Sequence, residues 1–340
     1  VLALFTGFTT RAAEDEYSKK IHKEYETNDQ THLDLINKYG DVEITNWSKN
    51  SLVIDVNITV DHRNEEKAKE LLEHITVNFN QSDNTIEVET DIDDNFNKSG
   101  WLFNFDNEDK QFSIDYKIKM PASLQLTLEN KYGDVFIDEV TGQADITVKY
   151  GNLKANKILR DNTKPLSQIY LAYSDGTVEE ANWLKMTLKY SKMEVDKSIA
   201  LMAVTKYSKL YTDETSSIVA ESKYDHYYLG NLDNLVVESK YTDYKIDQLN
   251  KKLDIETKYG DMDIDYIPKN FEKINVDNKY GHIDIKLDDA ASYNIEGEAQ
   301  YGDIEYPDSK NVSRIEENTD LKIHGIVGRA KNPKANVKLQ

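Results

Sequence analysis

The chain has 340 residues, a formal net charge of −20, 22 tyrosines and no cysteine. Without cysteine it can form no disulfide bond or thiolate zinc site, and it offers no cysteine nucleophile or cysteine for N-terminal lipidation. The acidic balance disfavours nucleic acid and anionic membrane surfaces as partners, because proteins bind both through clustered lysine and arginine.

The N-terminal segment is apolar. Residues 1–8 are followed by a small-residue region at 10–13 and then by acidic residues. This order is typical of the end of a secretory signal peptide. We therefore predict that residues 1–13 are a signal-peptide remnant and that the protein is exported to the periplasm or cell surface. A buried N-terminal strand is the alternative. No other run in the sequence is long and apolar enough to predict a membrane span.

Residues 14–123 are predicted to form N-terminal strands and a small α+β insert that covers the open end of a repeat array. Alternating apolar residues predict the strands, and a polar N-cap marks the start of the helix. The predicted elements are a strand at 52–60, a helix at 65–72 with Asn64 as N-cap, a hairpin at 75–88, a polar loop at 91–110 and a strand at 112–118 that Pro121 ends.

One short motif, Lys-Tyr-Gly-Asp followed by an apolar residue, recurs with variations along the chain. After Tyr132 the motif tyrosines follow one another at intervals of 17 to 23 residues. Such a period is typical of a solenoid, in which each repeat forms one turn. The motif tyrosines are Tyr39, Tyr132, Tyr150, Tyr173, Tyr190, Tyr207, Tyr224, Tyr241, Tyr259, Tyr280 and Tyr301.

Apolar residues alternate within each repeat, as in residues 184–190, which predicts a strand with one buried face. After each motif tyrosine the alternation shifts by one residue, as at a β-bulge or corner. The sequence thus predicts an all-β fold, a single-stranded β-solenoid over residues 124–306, with the tyrosine pointing inward before a corner. Residues 307–340 are predicted to be C-terminal turns. Residues 335–340 are similar to a strand that precedes a motif tyrosine, so we expect the natural chain to continue.

The residue after the motif tyrosine is glycine in several repeats and serine, aspartate or threonine in others. Glycine would permit a positive φ, whereas threonine in the left-handed region would be strained. We therefore expect a bulge with an ordinary φ at this position, at least in the middle turns. The non-glycine residues are Ser174, Ser191, Ser208, Asp225 and Thr242.

Three features together resemble a bacterial family: the repeated Lys-Tyr-Gly-Asp-Val motif, the early strand-and-helix insert, and the segment 116–121 that leads into the coil. The family consists of exported β-helical proteins, frequent in Bacteroidetes, that carry the name adhesin or domain of unknown function. The resemblance covers nearly the whole chain and implies a right-handed β-helix. It carries over no catalytic residue. Non-glycine residues after the tyrosine, from Ser174 to Thr242, depart from the family pattern.

Motifs that carry chemistry are missing from the sequence. It contains no nucleophile, phosphate-loop or dinucleotide signature, and its seven histidines form no metal-ligand pair at helical spacing. Acids such as Asp41, Asp134 and Asp261 lie two positions after motif tyrosines and could bind Ca²⁺ if stacked. The adjacent lysines offer neutralisation, and the calcium-binding repeat is missing. We therefore interpret these acids as solvated corner charges and predict no metal and no cofactor.

The outward positions two and four residues after the motif tyrosine differ in the middle turns. Lys209 and Tyr211 are followed one turn later by His226 and Tyr228, and Lys192 lies one turn earlier. If the turns stack in register, the two tyrosines are neighbours ~4.8 Å apart. These residues predict an aromatic and cationic patch on an acidic rod that suits a sugar or protein ligand. An ordinary cross-strand aromatic pair is the alternative.

The sequence therefore predicts an exported, non-enzymatic β-solenoid that serves as an adhesin or envelope binding scaffold for glycan or protein ligands. A carbohydrate-active β-helix enzyme and a purely structural periplasmic protein are the alternatives. Acids clustered on adjacent turns would favour the enzyme, because glycoside cleavage needs paired carboxyl groups at one place.

Overall fold

The computed structural model describes residues 16–93 and 112–340. The chain divides into two compact units, Val1–Glu179 and Glu180–Gln340, and the division falls within one long strand. Both units consist almost entirely of β-strands that form a β-solenoid. The predicted signal-peptide remnant and most of the predicted polar loop lie outside the described residues.

The first unit contains the predicted helix and twelve complete strands among its described residues. The helix α1 spans Glu65–His74. The strands are β1 Glu16–Glu26, β2 His32–Lys38, β3 Val42–Asn46, β4 Ser51–Asp61, β5 Ile75–Ser82, β6 Thr85–Ile92, β7 Phe112–Met120, β8 Gln125–Lys131, β9 Val135–Val140, β10 Ala144–Lys149, β11 Asn152–Ile158 and β12 Ser167–Ala172. The next strand, β13 Asp175–Lys189, continues into the second unit.

Parallel strands stack the turns of the first unit. On one side of the coil β2 pairs with β8, β8 with β10, and β10 with β12; after the corner, β3 pairs with β9 and β9 with β11. The register aligns Leu35, Leu128, Ile146 and Ile169, which are all at most 1% exposed. Each such side chain contributes about 1.5–3 kcal/mol on burial. Every turn is therefore stabilised by its neighbours.

The inserted elements form as predicted. Asn64 caps α1, since its Oδ1 accepts a hydrogen bond from the Lys67 backbone N–H at 3.1 Å. Strands β5 and β6 form the antiparallel hairpin, and β4 pairs antiparallel with β1 and β7. Strand β6 also pairs with β2, and β7 with β3, both in parallel. The insert thereby pairs with the backbone of the first turn, whose edge would otherwise be open to association.

The second unit begins with a run of long strands. Strands β14, β15 and β16 have 15 residues each and start two residues after a motif tyrosine. They pair in parallel with each other and with β17 along nearly their whole length. The strands are β14 Lys192–Lys206, β15 Lys209–Lys223, β16 His226–Lys240, β17 Asp243–Lys258, β18 Met262–Ile267, β19 Lys273–Lys279, β20 Ile283–Leu287, β21 Tyr293–Gln300, β22 Val312–Glu317, β23 Asp320–Val327 and β24 Ala335–Leu339.

The later strands of the second unit continue the coil and add a meander. Strand β18 pairs with β17 and β20, and β19 pairs with β17 and β24, all in parallel. Strands β21, β23 and β22 form antiparallel pairs. The last strand, β24, pairs in parallel with both β19 and β21. In the parts of the chain that the structure describes, no helix has the length and apolarity to cross a membrane.

Candidate binding surface

Every motif tyrosine has a left-handed backbone conformation, with φ between 52° and 66°. This conformation costs an L-residue roughly 1–2 kcal/mol. The residue after the tyrosine has an ordinary φ, as predicted. The prediction of an inward tyrosine next to a bulge was wrong. The left-handed residue itself turns the chain and directs its side chain outward, and Tyr150 and Tyr190, for example, are 48% and 49% exposed.

The outward tyrosine rings stack from turn to turn and form a tyrosine ladder in each unit. In the first unit Tyr39, Tyr132, Tyr150 and Tyr173 have ring centroids 5.1–5.2 Å apart. In the second unit the ladder runs from Tyr190 to Tyr280 at 4.8–4.9 Å. A stacked pair contributes about 0.5–1.5 kcal/mol, which offsets part of the backbone strain. Because the ladder recurs throughout, it belongs to the construction of the coil.

The acids that follow the motif tyrosines hold neighbouring turns together. Asp41 Oδ1 accepts the Asp134 backbone N–H, and Asp134 Oδ1 accepts that of Asn152, both at 2.8 Å. Asp243 Oδ1 accepts the Asp261 N–H at 3.1 Å. The prediction of merely solvated charges missed these bonds. Among the described residues, no group of three or more histidine, aspartate or glutamate side chains is placed to hold a metal ion.

The predicted patch lies on the outer face at the start of β14, β15 and β16. Tyr211 and Tyr228 are paired in register, and their ring centroids are 4.7 Å apart with 8° between the planes. The predicted neighbour relation is therefore confirmed. Lys209 is paired with Lys192 on one side and with His226 on the other. The structure brings all five predicted residues together on three consecutive turns.

The stacking decides what the two rings offer to a ligand. Each ring covers one face of the other, and Lys192 Nζ lies over the Tyr211 ring, 5.1 Å from its centroid. Tyr228 remains 40% exposed. The pair therefore presents mainly ring edges and phenolic hydroxyl groups, which combine an apolar rim with hydrogen-bond donors and acceptors.

Acids flank the cations of the patch. Lys192 forms an ion pair with Glu194 on its own strand. His226 Nδ1 lies 3.3 Å from Asp243 Oδ2 on the next turn. The patch thus has mixed charge and is not the cationic patch that the sequence predicted, because the acids occupy neighbouring positions of the same outer columns. Donors and acceptors lie side by side, which suits a hydroxyl-bearing or zwitterionic ligand.

A groove of about 450 Å³ crosses the middle of the long strands β14 to β17 in the second unit. Sequence reasoning did not predict this groove. Its lining includes Asn231, Asp233 and Asn250. Asn250 Nδ2 donates to Asn231 Oδ1 at 2.8 Å and to Asp233 Oδ1 at 3.1 Å. The hydrogen bond from Lys251 holds the pKa of Asp233 below its ordinary value. No motif marks these residues, since they follow one another only across turns.

Comparisons with solved structures find proteins of similar extent and low identity. The chain is similar to a "putative lipid binding protein" from Parabacteroides distasonis at 9% identity, covering 78% of this chain and 96% of that one, with a TM-score of 0.38. It is also similar to a "putative cell adhesion protein" from Clostridium sporogenes at 12% identity, covering 80% and 100%, with a TM-score of 0.30. A "putative adhesin" from Parabacteroides distasonis shares 12% identity over 79% and 97%, with a TM-score of 0.32.

Two further comparisons concern families and curated proteins. No curated protein matches this sequence. Residues 229–340, from the end of the predicted patch onward, match the family model described as Toastrack DUF4097.

Proposed function

We propose that the protein is an exported, non-enzymatic β-solenoid that binds a glycan or protein ligand and serves as an adhesin or envelope scaffold. The observation that carries this proposal is the stacked pair Tyr211 and Tyr228 on the outer face, surrounded by Lys192, Lys209 and His226.

The pair is a local departure from the repeat. The same column holds Glu194 one turn earlier and Lys245 one turn later, so the coil does not need a ring at this position. A cross-strand aromatic pair contributes only about 0.2–1 kcal/mol to a sheet. Tyr228, which is 40% exposed, and Tyr211, which is partly exposed, are thus available for contacts with a ligand, and aromatic residues are enriched in binding surfaces.

The chemistry of the patch favours a polar, uncharged or zwitterionic ligand. The phenolic hydroxyls, Lys209 and His226 supply hydrogen-bond donors, while Glu194 and Asp243 supply acceptors. The hydroxyl groups of a sugar, or the backbone and side chains of a polar protein loop, match this set. The two acids would repel a polyanion, and the lysines would repel a polycation.

The distribution of carboxylates supports a non-enzymatic role. Glycoside hydrolysis uses two carboxyl groups held at one place, with one of them kept protonated. In the described turns the corner acids are spread along the coil, and several accept backbone hydrogen bonds between turns. Acids used in this way serve the stability of the coil.

Binding and turnover are best measured in one experiment. The full chain is incubated with immobilised glycans and extracellular-matrix proteins, and both the bound fraction and any shortened glycan are recorded. We expect binding without product, weakened at least tenfold in Tyr211→Ala/Tyr228→Ala. Tyr211→Phe/Tyr228→Phe separates the contribution of the rings from that of the hydroxyl groups.

Tyr266→Ala is the matched control, because Tyr266 is also an exposed tyrosine (39%) but lies outside the patch. It should bind like the unmodified protein. Release of shortened glycan would replace the proposal with an enzymatic function. Binding that survives the double alanine substitution would place the ligand elsewhere, and a failure of every glycan and protein to bind would leave a structural role.

A further inference from the structure

An outer face of the second unit, on the C-terminal halves of β14 to β17, carries four parallel columns of side chains, which we call the columned face. The strands pair in register here, so equivalent residues lie above one another at ~4.8 Å per turn. In strand order the columns are an apolar column (Met202, Val219, Val236), an acidic column (Glu221, Glu238, Glu256), a lysine column (Lys206, Lys223, Lys240, Lys258) and the tyrosine ladder (Tyr207, Tyr224, Tyr241, Tyr259). The apolar column ends at Val236, because Asp254 occupies its position on β17.

The apolar column lies open to solvent. Met202, Val219 and Val236 are 38%, 51% and 45% exposed, and Val204, above the acidic column, is 45% exposed. Parallel sheets are normally covered on both faces. A contiguous apolar strip with polar neighbours is typical of an interaction site.

The charges of the columned face are also unbalanced from turn to turn. Each charged column stacks like charges one turn apart, which is unfavourable without a countercharge. Of the ion pairs found among the described residues, one joins these two columns, Lys258 with Glu256 at 4.0 Å. Lys223 Nζ lies instead over its neighbouring tyrosine ring. A partner that brings acids to the lysines and lysines to the acids would complete both columns.

We propose that the columned face binds the same face of a second copy, about a twofold axis that runs parallel to the columns, between the acidic and lysine columns. The rotation reverses the order of the columns on the partner. Lys223 then faces Glu221 of the partner subunit, Lys240 faces Glu238 of the partner subunit, and the tyrosine ladder faces the apolar column. Such an isologous contact closes on itself.

Charge selects this arrangement over the other in-plane twofold axis. An axis perpendicular to the columns would set lysine against lysine and glutamate against glutamate. Four turns at ~4.8 Å and six residues at ~3.3 Å give roughly 400 Å² of flat area per copy. Both copies together would bury roughly 800 Å², which is below the ~1,200–2,000 Å² of stable interfaces and is typical of weak, transient ones. We therefore expect a weak dimer that forms at micromolar concentrations. The Tyr211–Tyr228 patch lies beyond the tyrosine corner and stays free, so the dimer and ligand binding are independent.

Sedimentation velocity of the full chain over a range of concentrations tests the dimer. Lys223→Glu/Lys240→Glu and Glu221→Lys/Glu238→Lys each set like charges against each other across the axis, and each should be monomeric. An equimolar mixture of the two variants should restore the dimer, because every facing pair is again opposite in sign. All four side chains are exposed, so both variants should fold, as circular dichroism would show.

Lys209→Glu/Lys245→Glu, on the other side of the tyrosine corner, is the matched control and should remain dimeric. Val219→Asp/Val236→Asp should be monomeric at every concentration. A monomeric unmodified chain at high micromolar concentration would refute the proposal. So would a mixture of the two charge variants that stays monomeric, or charge variants that remain dimeric alone.

Discussion

A buried polar network lies behind the motif corners in each unit, and the two networks use different chemistry. In the first unit the network is built from neutral amides. Asn130 Nδ2 donates to the carbonyl oxygen of Gly133 at 2.9 Å, and Asn37 Nδ2 donates to Asn130 Oδ1 at 3.0 Å. Thr90 Oγ1 donates to Asn37 Oδ1, which leaves the Tyr116 hydroxyl to donate to Thr90 at 2.6 Å.

In the second unit the network is built around one carboxylate. Asp225 is 1% exposed. Its Oδ1 accepts the Ser208 backbone N–H at 2.6 Å, and its Oδ2 accepts the Lys223 N–H at 2.7 Å and the hydroxyls of Thr205 and Ser222 at 2.6 and 2.8 Å. Four donors make its burial tolerable, since a buried charge is costly unless it is well hydrogen-bonded.

The difference shows two ways to hydrogen-bond the backbone groups of the same corner. An asparagine two positions before the tyrosine bonds the corner carbonyl from inside, and the residue after the tyrosine is then glycine. This holds for Asn130 with Gly133 and for Asn278, whose Nδ2 donates to the Gly281 carbonyl at 2.7 Å. In the middle turns this asparagine is missing. There the residue after the tyrosine, such as Asp225, bonds the corner backbone with its own side chain.

Removing the carboxylate from the second network should have the largest effect. Asp225→Ala leaves the Ser208 and Lys223 backbone N–H groups without their acceptor, and each unsatisfied group costs about 1–3 kcal/mol. The Thr205 and Ser222 hydroxyls lose the same acceptor but keep hydroxyl partners. We expect a loss of roughly 3–5 kcal/mol in the free energy of unfolding, measured by urea denaturation. Asp225→Ser copies Ser208 one turn earlier and should lose clearly less. Equal losses would show that the carboxylate is not the centre of the network.

Adding a methyl group to a glycine corner should have the next largest effect. A Cβ at Gly133 would collide with the backbone carbonyl of Gly40, which cannot move without separating the turns. Gly133→Ala should therefore lose about 1–3 kcal/mol of stability, the usual range for overpacking. At Gly302 the same methyl would meet only the Ala299 Cβ, at 3.9 Å. An unchanged denaturation midpoint for Gly133→Ala, like that expected for Gly302→Ala, would contradict the prediction.

The first network should respond to high pH through Tyr116. Burial raises the pKa of its hydroxyl from 10.0 to about 12. The folded state then holds the proton more tightly than the unfolded state. The contribution of the protonated Tyr116 hydroxyl to the free energy of unfolding is therefore complete below pH 10 and is lost as the pH rises through 12. At 1.36 kcal/mol per pKa unit the loss is about 2–3 kcal/mol.

Urea denaturation between pH 9 and 12 measures this loss. Tyr116→Phe should lose stability less steeply with pH than the unmodified protein, because its ring cannot ionise. Burial also raises the pKa of Tyr227 in the second network, and Tyr227→Phe is the matched substitution there. Parallel curves for the unmodified protein and Tyr116→Phe would show that Tyr116 does not contribute.

The smallest loss of stability is expected where the side chain that is removed is one of several hydroxyl groups at the corners. Ser208 Oγ donates to the Lys206 carbonyl at 2.9 Å and accepts the Ser191 N–H at 3.2 Å. Ser208→Ala should lose about 1 kcal/mol, the net contribution of an ordinary hydrogen bond. The exposed Ser216 is the control, and Ser216→Ala should leave the denaturation midpoint unchanged. A loss above that of Asp225→Ser would reverse the proposed ranking.

Much of the fold could be predicted because its signals are local. Alternating apolar residues and the Asn64 cap identified the strands and α1, and the 17-residue spacing alone predicted that Tyr211 lies beside Tyr228. The direction of the motif tyrosines could not be predicted in the same way. A one-residue shift in the alternation is the same whether a bulge inserts a residue or a single residue turns left-handed.

The sequence by itself determined the period of the coil and therefore which residues share a column. Only the tertiary structure decided which atoms meet across turns. The ion pair between His226 and Asp243, the polar groove near Asn250 and the exclusion of a side chain at Gly133 all depend on the distance between neighbouring turns. That distance is a property of the stacked backbone, and no stretch of one turn records it.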